Sequence, residues 1–147
     1  MTNYLEQIDQ GLVLEQPKIV LLWNWQKKDI FNILNDVSIV NQNYYTSKIV
    51  LPNITFINYA GFHFKKEKLV EIELFNDAKH LAEADDSVFN KHQLILEECF
   101  GNPNRNKLIE IIKEVKKAYY WKFKHVTIIH KLWDRFGIEE NLIIHIQ

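Results

Sequence analysis

The sequence predicts an α+β domain: an antiparallel β-sheet with helices packed on one face. Three observations support this. First, residues 118–133 are dense in aromatic and β-branched side chains, with Tyr119, Trp121 and Phe123 at every second position and Tyr120, Lys122 and Lys124 between them. Successive side chains of a strand point to opposite faces, so this reads as β-structure with one buried side. Second, Phe62 and Phe64 alternate with His63 and Lys65, Lys66-Glu67-Lys68 follows as a polar turn, and Val70, Ile72 and Leu74 alternate with Glu71 and Glu73. That is a hairpin with one wet face. Third, residues 88–100 carry apolar side chains at helical spacing and run into Gly101-Asn102-Pro103. The glycine closes a helix and the proline cannot continue it.

Length and composition bound the rest. A chain of 147 residues is the size of one domain, 1–147. Aromatics at 13% allow a large, well-filled core, and only 4 Gly and 3 Pro leave little room for flexible linkers. The longest apolar run, Ile19–Trp23, is far short of the roughly 20 residues of a membrane span. Met1–Glu6 has no basic stretch leading into an apolar one, so no secretory signal is expected. The single Cys99 excludes an internal disulfide framework and fits a reducing compartment. We therefore expect a cytoplasmic protein, and its richness in Lys, Asn and Ile suggests a bacterial one.

In chain order, Tyr4, Leu5 and Ile8 mark a short helix, with a connector ending at Pro17. Ile19–Trp23 is a buried strand, and Asn24 is placed to cap a helix over about 26–36, where Ile30, Phe31, Ile33, Leu34 and Val37 share a face. Ser47–Leu51 and Ile54–Tyr59 read as short strands, with Gly61 marking a bulge before the 62–75 hairpin. Residues 76–87 form an acidic loop with one helical turn around 78–84. In the helix that follows, Val88, His92, Ile95, Leu96 and Cys99 line one face, with Asp86 or Ser87 as its cap. Leu108, Ile111, Ile112, Val115 and Tyr119 predict another helix over about 106–117. The strands of 119–133 belong at the centre of the sheet, change register near His125, and pair through a last turn at Gly137–Asn141 with Leu142–Ile146. Coarsely, the pattern is two α-β-β-β halves, with no residue-level repeat.

Charge is uneven although the net charge is only −1. Residues 71–100 hold eight acids against two lysines, whereas 105–124 hold seven bases against two acids. Within the acidic part, Glu83, Asp85 and Asp86 sit in the loop ahead of the 88–100 helix, a place well suited to present charge to a basic partner. The six histidines show none of the i, i+2 or i, i+4 pairings that aim two rings at one metal, so no metal is expected. Glu97 and Glu98 are adjacent on a helix and diverge. No Gly-x-Ser-x-Gly elbow and no glycine-rich phosphate loop is present, so no cofactor is expected. Lys116–Lys124 interleaves bases with aromatics, but those aromatics belong to the core and the whole chain has no basic field, which argues against a nucleic-acid partner. The one catalytic constellation open to the fold is an assembly of His130, Asp134 and His145.

The helix ending Phe100-Gly101-Asn102-Pro103 and the β-meander after it resemble BamE-like and β-lactamase-inhibitor-like folds. In kind the chain is also similar to the immunity proteins that bacteria make against their neighbours' toxins. That resemblance implies a single cytosolic domain with no catalytic site and an acidic surface that masks a basic toxin. The leading expectation is such a non-enzymatic binding protein. The alternatives are a small enzyme built on His130, Asp134 and His145, and a homodimeric scaffold.

Overall fold

Strict alternation is what the sheet is made of. In the computed structural model, which describes residues 4–77, 86–104, 115–134 and 138–147, the elements are α1 (Tyr4–Gln7), β1 (Gly11–Val13), β2 (Val20–Leu22), α2 (Lys27–Ile33), β3 (Ser38–Asn41), β4 (Tyr44–Lys48), β5 (Tyr59–Lys65), β6 (Lys68–Phe75), α3 (Asp86–Phe100), β7 (Val115–Lys122), β8 (Val126–Asp134) and β9 (Ile138–Ile146). Seven strands form one antiparallel sheet in the order β3-β4-β5-β6-β9-β8-β7, and β1 and β2 form a small separate ribbon. The sheet is two meanders, β3–β6 and β7–β9, joined where β6 pairs with β9.

Register turns the alternation into a core. Tyr45, Phe62, Ile72, Ile144, Ile128 and Trp121 are successive cross-strand partners over six strands, and all six are buried. The next row on the same face is Ser47, Ala60, Leu74, Leu142, His130 and Tyr119. Each fully buried aliphatic or aromatic side chain contributes about 1.5–3 kcal/mol, so these rows stabilise the inward face. α3 lies against it: the Phe89 ring stacks on His130 at 3.9 Å and the Phe100 ring is 5.8 Å from Trp121. Gly101 ends α3 with φ +85°, a left-handed conformation that glycine adopts without strain, and its carbonyl accepts the Trp121 indole N–H at 2.7 Å. α2 places Phe31 edge-on to Tyr45. Among the described residues no helix is long and apolar enough to cross a membrane.

Several expectations are corrected. The centre of the sheet is β6 and β9, and β7 is an edge strand. The helix expected over 106–117 lies outside the described residues up to 114, and its last three positions, Val115–Lys117, open β7. Ile54–Tyr59 is mostly turn: Pro52 and a left-handed Asn53 (φ 59°) break the chain, and the strand starts at Tyr59. Gly61 is not a bulge; the register shifts between His63 and Phe64, leaving Val70 as the extra residue. The N-cap of α2 is Gln26 rather than Asn24, with the Asp29 carboxylate accepting the Gln26 N–H at 2.8 Å. The buried face of α3 is Phe89, Gln93, Leu96, Cys99 and Phe100, a rotation of about one residue from the predicted stripe. The helical turn expected around 78–84 lies outside the described residues.

Candidate functional site

The face of the sheet turned away from α3 is where the unusual residues collect. β6 is the fourth of seven strands, and its alternation puts Glu71 and Glu73 in mid-sheet on this outward face. Glu73 is half-buried and held by two neutral donors. The Tyr44 hydroxyl donates to it, and the Asn141 side-chain amide donates to it at 3.2 Å. Gly61 makes the first of these contacts practicable. It is the cross-strand partner of Glu73, and a Cβ there would lie 2.4 Å from the Tyr44 hydroxyl, so the absent side chain leaves the channel through which Tyr44 reaches over. Burial, and then the Glu73 and Glu71 carboxylates, push the Tyr44 pKa above its ordinary value. Glu71 lies between two rings, 3.0 Å from His145 Nδ1 and 3.6 Å from His63 Nε2, and the His63 ring stacks on Tyr44.

Aromatic side chains stand on the same face, Tyr44, Tyr59 and Phe75 beside this pair of carboxylates and Tyr120 and Trp133 farther off toward β7 and the end of β8. Tyr44, Tyr59, Phe75, Tyr120 and Trp133 are all half-exposed on the outward side of the described strands. The Tyr59 and Phe75 rings stack at 5.8 Å, and Lys131 Nζ sits 4.0 Å over Trp133. Among the described residues, the acids of this face (Glu71, Glu73, Glu139) come from β6 and β9, and its bases come from both flanks and the turn, Lys48, Lys65 and Lys68 from β4, β5 and β6, and Lys122 and Lys131 from β7 and β8. The carboxylates therefore stand at the middle of the face, with lysines toward both of its flanks.

A second polar group lies on the inward face and is closed. His130 is fully buried in a row of apolar residues, with Nδ1 2.7 Å from Gln93 Oε1 and Nε2 2.7 Å from Glu140 Oε2. The same Glu140 oxygen is 2.7 Å from His92 Nδ1, and the His92 ring stacks on Phe56 at 3.7 Å. Gln93 in turn donates to Glu97 at 2.9 Å. Burial raises the Glu140 pKa, but hydrogen bonds from His130 and His92, with the attraction of their rings, outweigh it and bring Glu140 from an ordinary 4.5 down to about 2. For His130, burial outweighs the pull of Glu140 and lowers its pKa. Both ring nitrogens of His130 are spent within the fold, so this group pins α3 to β8 and β9.

Of the residues singled out in the sequence, Glu83 and Asp85 lie outside the described residues, and Asp86 is the exposed first residue of α3, against the opposite side of the sheet from the aromatic face. His130, Asp134 and His145 do not converge. His145 pairs with Thr127 and His130 with Leu142, which places the two rings on opposite faces. Asp134 is four residues along β8, about 13 Å away at strand spacing. Cys99 is buried. Among the described residues no group of three His, Cys, Asp or Glu side chains is arranged to hold a metal. Comparison with family models, with curated proteins and with solved structures finds no significant match to this chain. Glu71 and Glu73 read in the sequence as the wet side of a hairpin; what the sequence does not show is that Tyr44 and Gly61 share that side.

Proposed function

We propose that this chain is a non-enzymatic, cytoplasmic protein-binding domain of the bacterial immunity type, and that the outward face of its sheet docks a basic surface of a toxin. The observation that carries this reading is five half-exposed aromatic rings on the one sheet face that holds two mid-sheet carboxylates, three of them beside those carboxylates. A sheet face that only meets water is covered by polar side chains. Tyrosine and tryptophan are instead the residues that concentrate binding energy in interfaces, because they bring large contact area at low conformational cost. Glu73 is fixed by Tyr44 and Asn141 before any partner arrives, so little ordering cost remains for a cation that docks on it. The acidic loop of Glu83, Asp85 and Asp86 is a second candidate contact.

The test uses a partner recovered with the immobilised full chain and mapped by cross-linking. Its association rate is then measured over a range of salt concentrations. Glu71→Lys combined with Glu73→Lys is expected to slow association and reverse its salt dependence, with the circular dichroism of the fold unchanged. Glu83→Lys combined with Asp85→Lys is the comparison. If only the loop variant acts, the docking site moves to the loop; if neither acts, the reading fails.

A further inference from the structure

The two edges of the sheet are finished differently. The outer edge of β7 is covered: Asn104 donates its N–H to the Tyr120 carbonyl at 2.7 Å, and its side-chain oxygen accepts the Lys122 N–H at 2.8 Å. Lys117 and Lys122 add charge there, which is how natural edges resist further pairing. β3, at the other edge, has neither device. Its only strand neighbour among the described residues is β4, all four of its residues are exposed, and Ser38-Ile39-Val40-Asn41 carries no charge. Of nine large apolar side chains that stand exposed among the described residues, four (Phe31, Ile33, Ile39 and Val40) fall within this one stretch of ten residues. Ile39 pairs with Tyr45, and the Phe31 ring lies 6.4 Å from the Tyr45 ring, so Ile39 and Phe31 extend the inward apolar row past the edge of the sheet.

We infer that β3 is a self-pairing edge, through which two copies of this chain join into one continuous antiparallel sheet. The sequence of the edge fits its own copy. A twofold axis through Ser38 sets Ile39 against Val37 twice on the inward side; an axis through Ile39 sets Ile39 against itself and Ser38 against Val40, and Asp36, the nearest charge, lies in the turn before the strand. In neither register does a charge meet a like charge, and in both the apolar side chains of the two copies fall together beside the two Phe31 rings. A partner strand of unrelated sequence has no such built-in match. The bulge between Ile39 and Asn41 confines the pairing to the start of β3 and its approach, so the dimer is held by few main-chain hydrogen bonds and is concentration-dependent.

The test is sedimentation velocity on the full chain over a wide concentration range. The mass is expected to rise from that of one chain to that of two. Ile39→Lys combined with Val40→Lys is expected to keep the protein at the one-chain mass at every concentration, with the melting temperature that the wild type shows at low concentration, because both side chains are exposed. As a measurement independent of any variant, the amides of Ser38–Val40 are expected to exchange more slowly at high concentration than at low. A one-chain mass at all concentrations, or a dimer that the double variant leaves intact, overturns the inference. The Glu71→Lys, Glu73→Lys chain keeps its β3 edge and is expected to dimerise normally, so this result stands apart from the outcome for the aromatic face.

Discussion

Replacing Glu140 by Gln tests how much the closed polar group on the inward face holds the fold together. One carboxylate oxygen takes both His92 Nδ1 and His130 Nε2 at 2.7 Å, and its side chain is only 12% exposed. With the folded-state pKa drawn from 4.5 to about 2, the native form of Glu140 is favoured by about 3 kcal/mol. A depressed carboxylate contributes stability that is complete above pH 4.5 and is lost as the pH falls toward 2. His130 acts in the same direction: its folded pKa is lowered, so the unfolded chain takes up the proton more readily and stability begins to fall below its ordinary 6.5. The wild type is therefore expected to lose stability in two steps on acidification. Glu140→Gln is expected to cost about 2–3 kcal/mol at neutral pH, because one buried ring nitrogen loses its charged acceptor. The step between 4.5 and 2 should then be largely absent. Urea unfolding followed by tryptophan fluorescence over a pH series measures both quantities, with Glu139→Gln on the outward side as the control. A Glu140→Gln chain within about 0.5 kcal/mol of wild type at neutral pH, or one with an unaltered acid step, would refute the reasoning.

Two further outcomes follow from the packing. Trp121→Ala is expected to destabilise by about 3–5 kcal/mol in the same urea assay, since the ring is 2% exposed, lies against Phe100 and donates to Gly101; a loss below about 1 kcal/mol would mean that the inward face is not the core. Glu73→Gln is expected to bring the Tyr44 pKa back toward its ordinary value, while burial keeps it somewhat raised; an ultraviolet titration compared with Tyr44→Phe reads that one phenol, and an unmoved value would remove the Tyr44–Glu73 contact from the site.

What the sequence discloses divides along the range of the interactions. The β5–β6 hairpin was legible because its alternation, its polar turn and its wet side all lie within residues 62–75, and the left-handed backbone at Lys66 and Glu67 suits the twist of such a tight turn. The end of α3 was legible for the same reason, since Gly101 and Pro103 act on the chain beside them. Local signals misled where two periods coincide: Val115 and Tyr119 are four apart, which satisfies a helix, yet both stand in β7. Nothing local says that β6 pairs with β9, about 70 residues later, so the strands of 119–133 looked central while two others took that place.

The same division explains the two polar groups. His130 occupies an apolar position in its strand, and only partners from elsewhere make it tolerable there: Gln93 and Phe89 from α3, and Glu140 from the start of β9. Glu140 itself reads as part of a turn because Glu139 and Asn141 flank it, although it stands two residues before Leu142 and so shares that residue's inward parity. The rotation of α3 by about one residue follows from this, because the helix turns Phe89 and Gln93 toward the buried ring instead of burying Val88 and His92. A polar residue on a buried row must find its partners inside the fold, and once it has found them it has nothing left to offer a ligand. The outward carboxylates are in the opposite position. Tyr44, Gly61, Glu73 and Asn141 fix one oxygen-rich point in mid-sheet with neutral donors, so the negative charge of Glu73 stays uncompensated by any described ion pair and the aromatic rings around it stay half-exposed. Of the two groups, the outward one is therefore the one with charge and surface left for a partner.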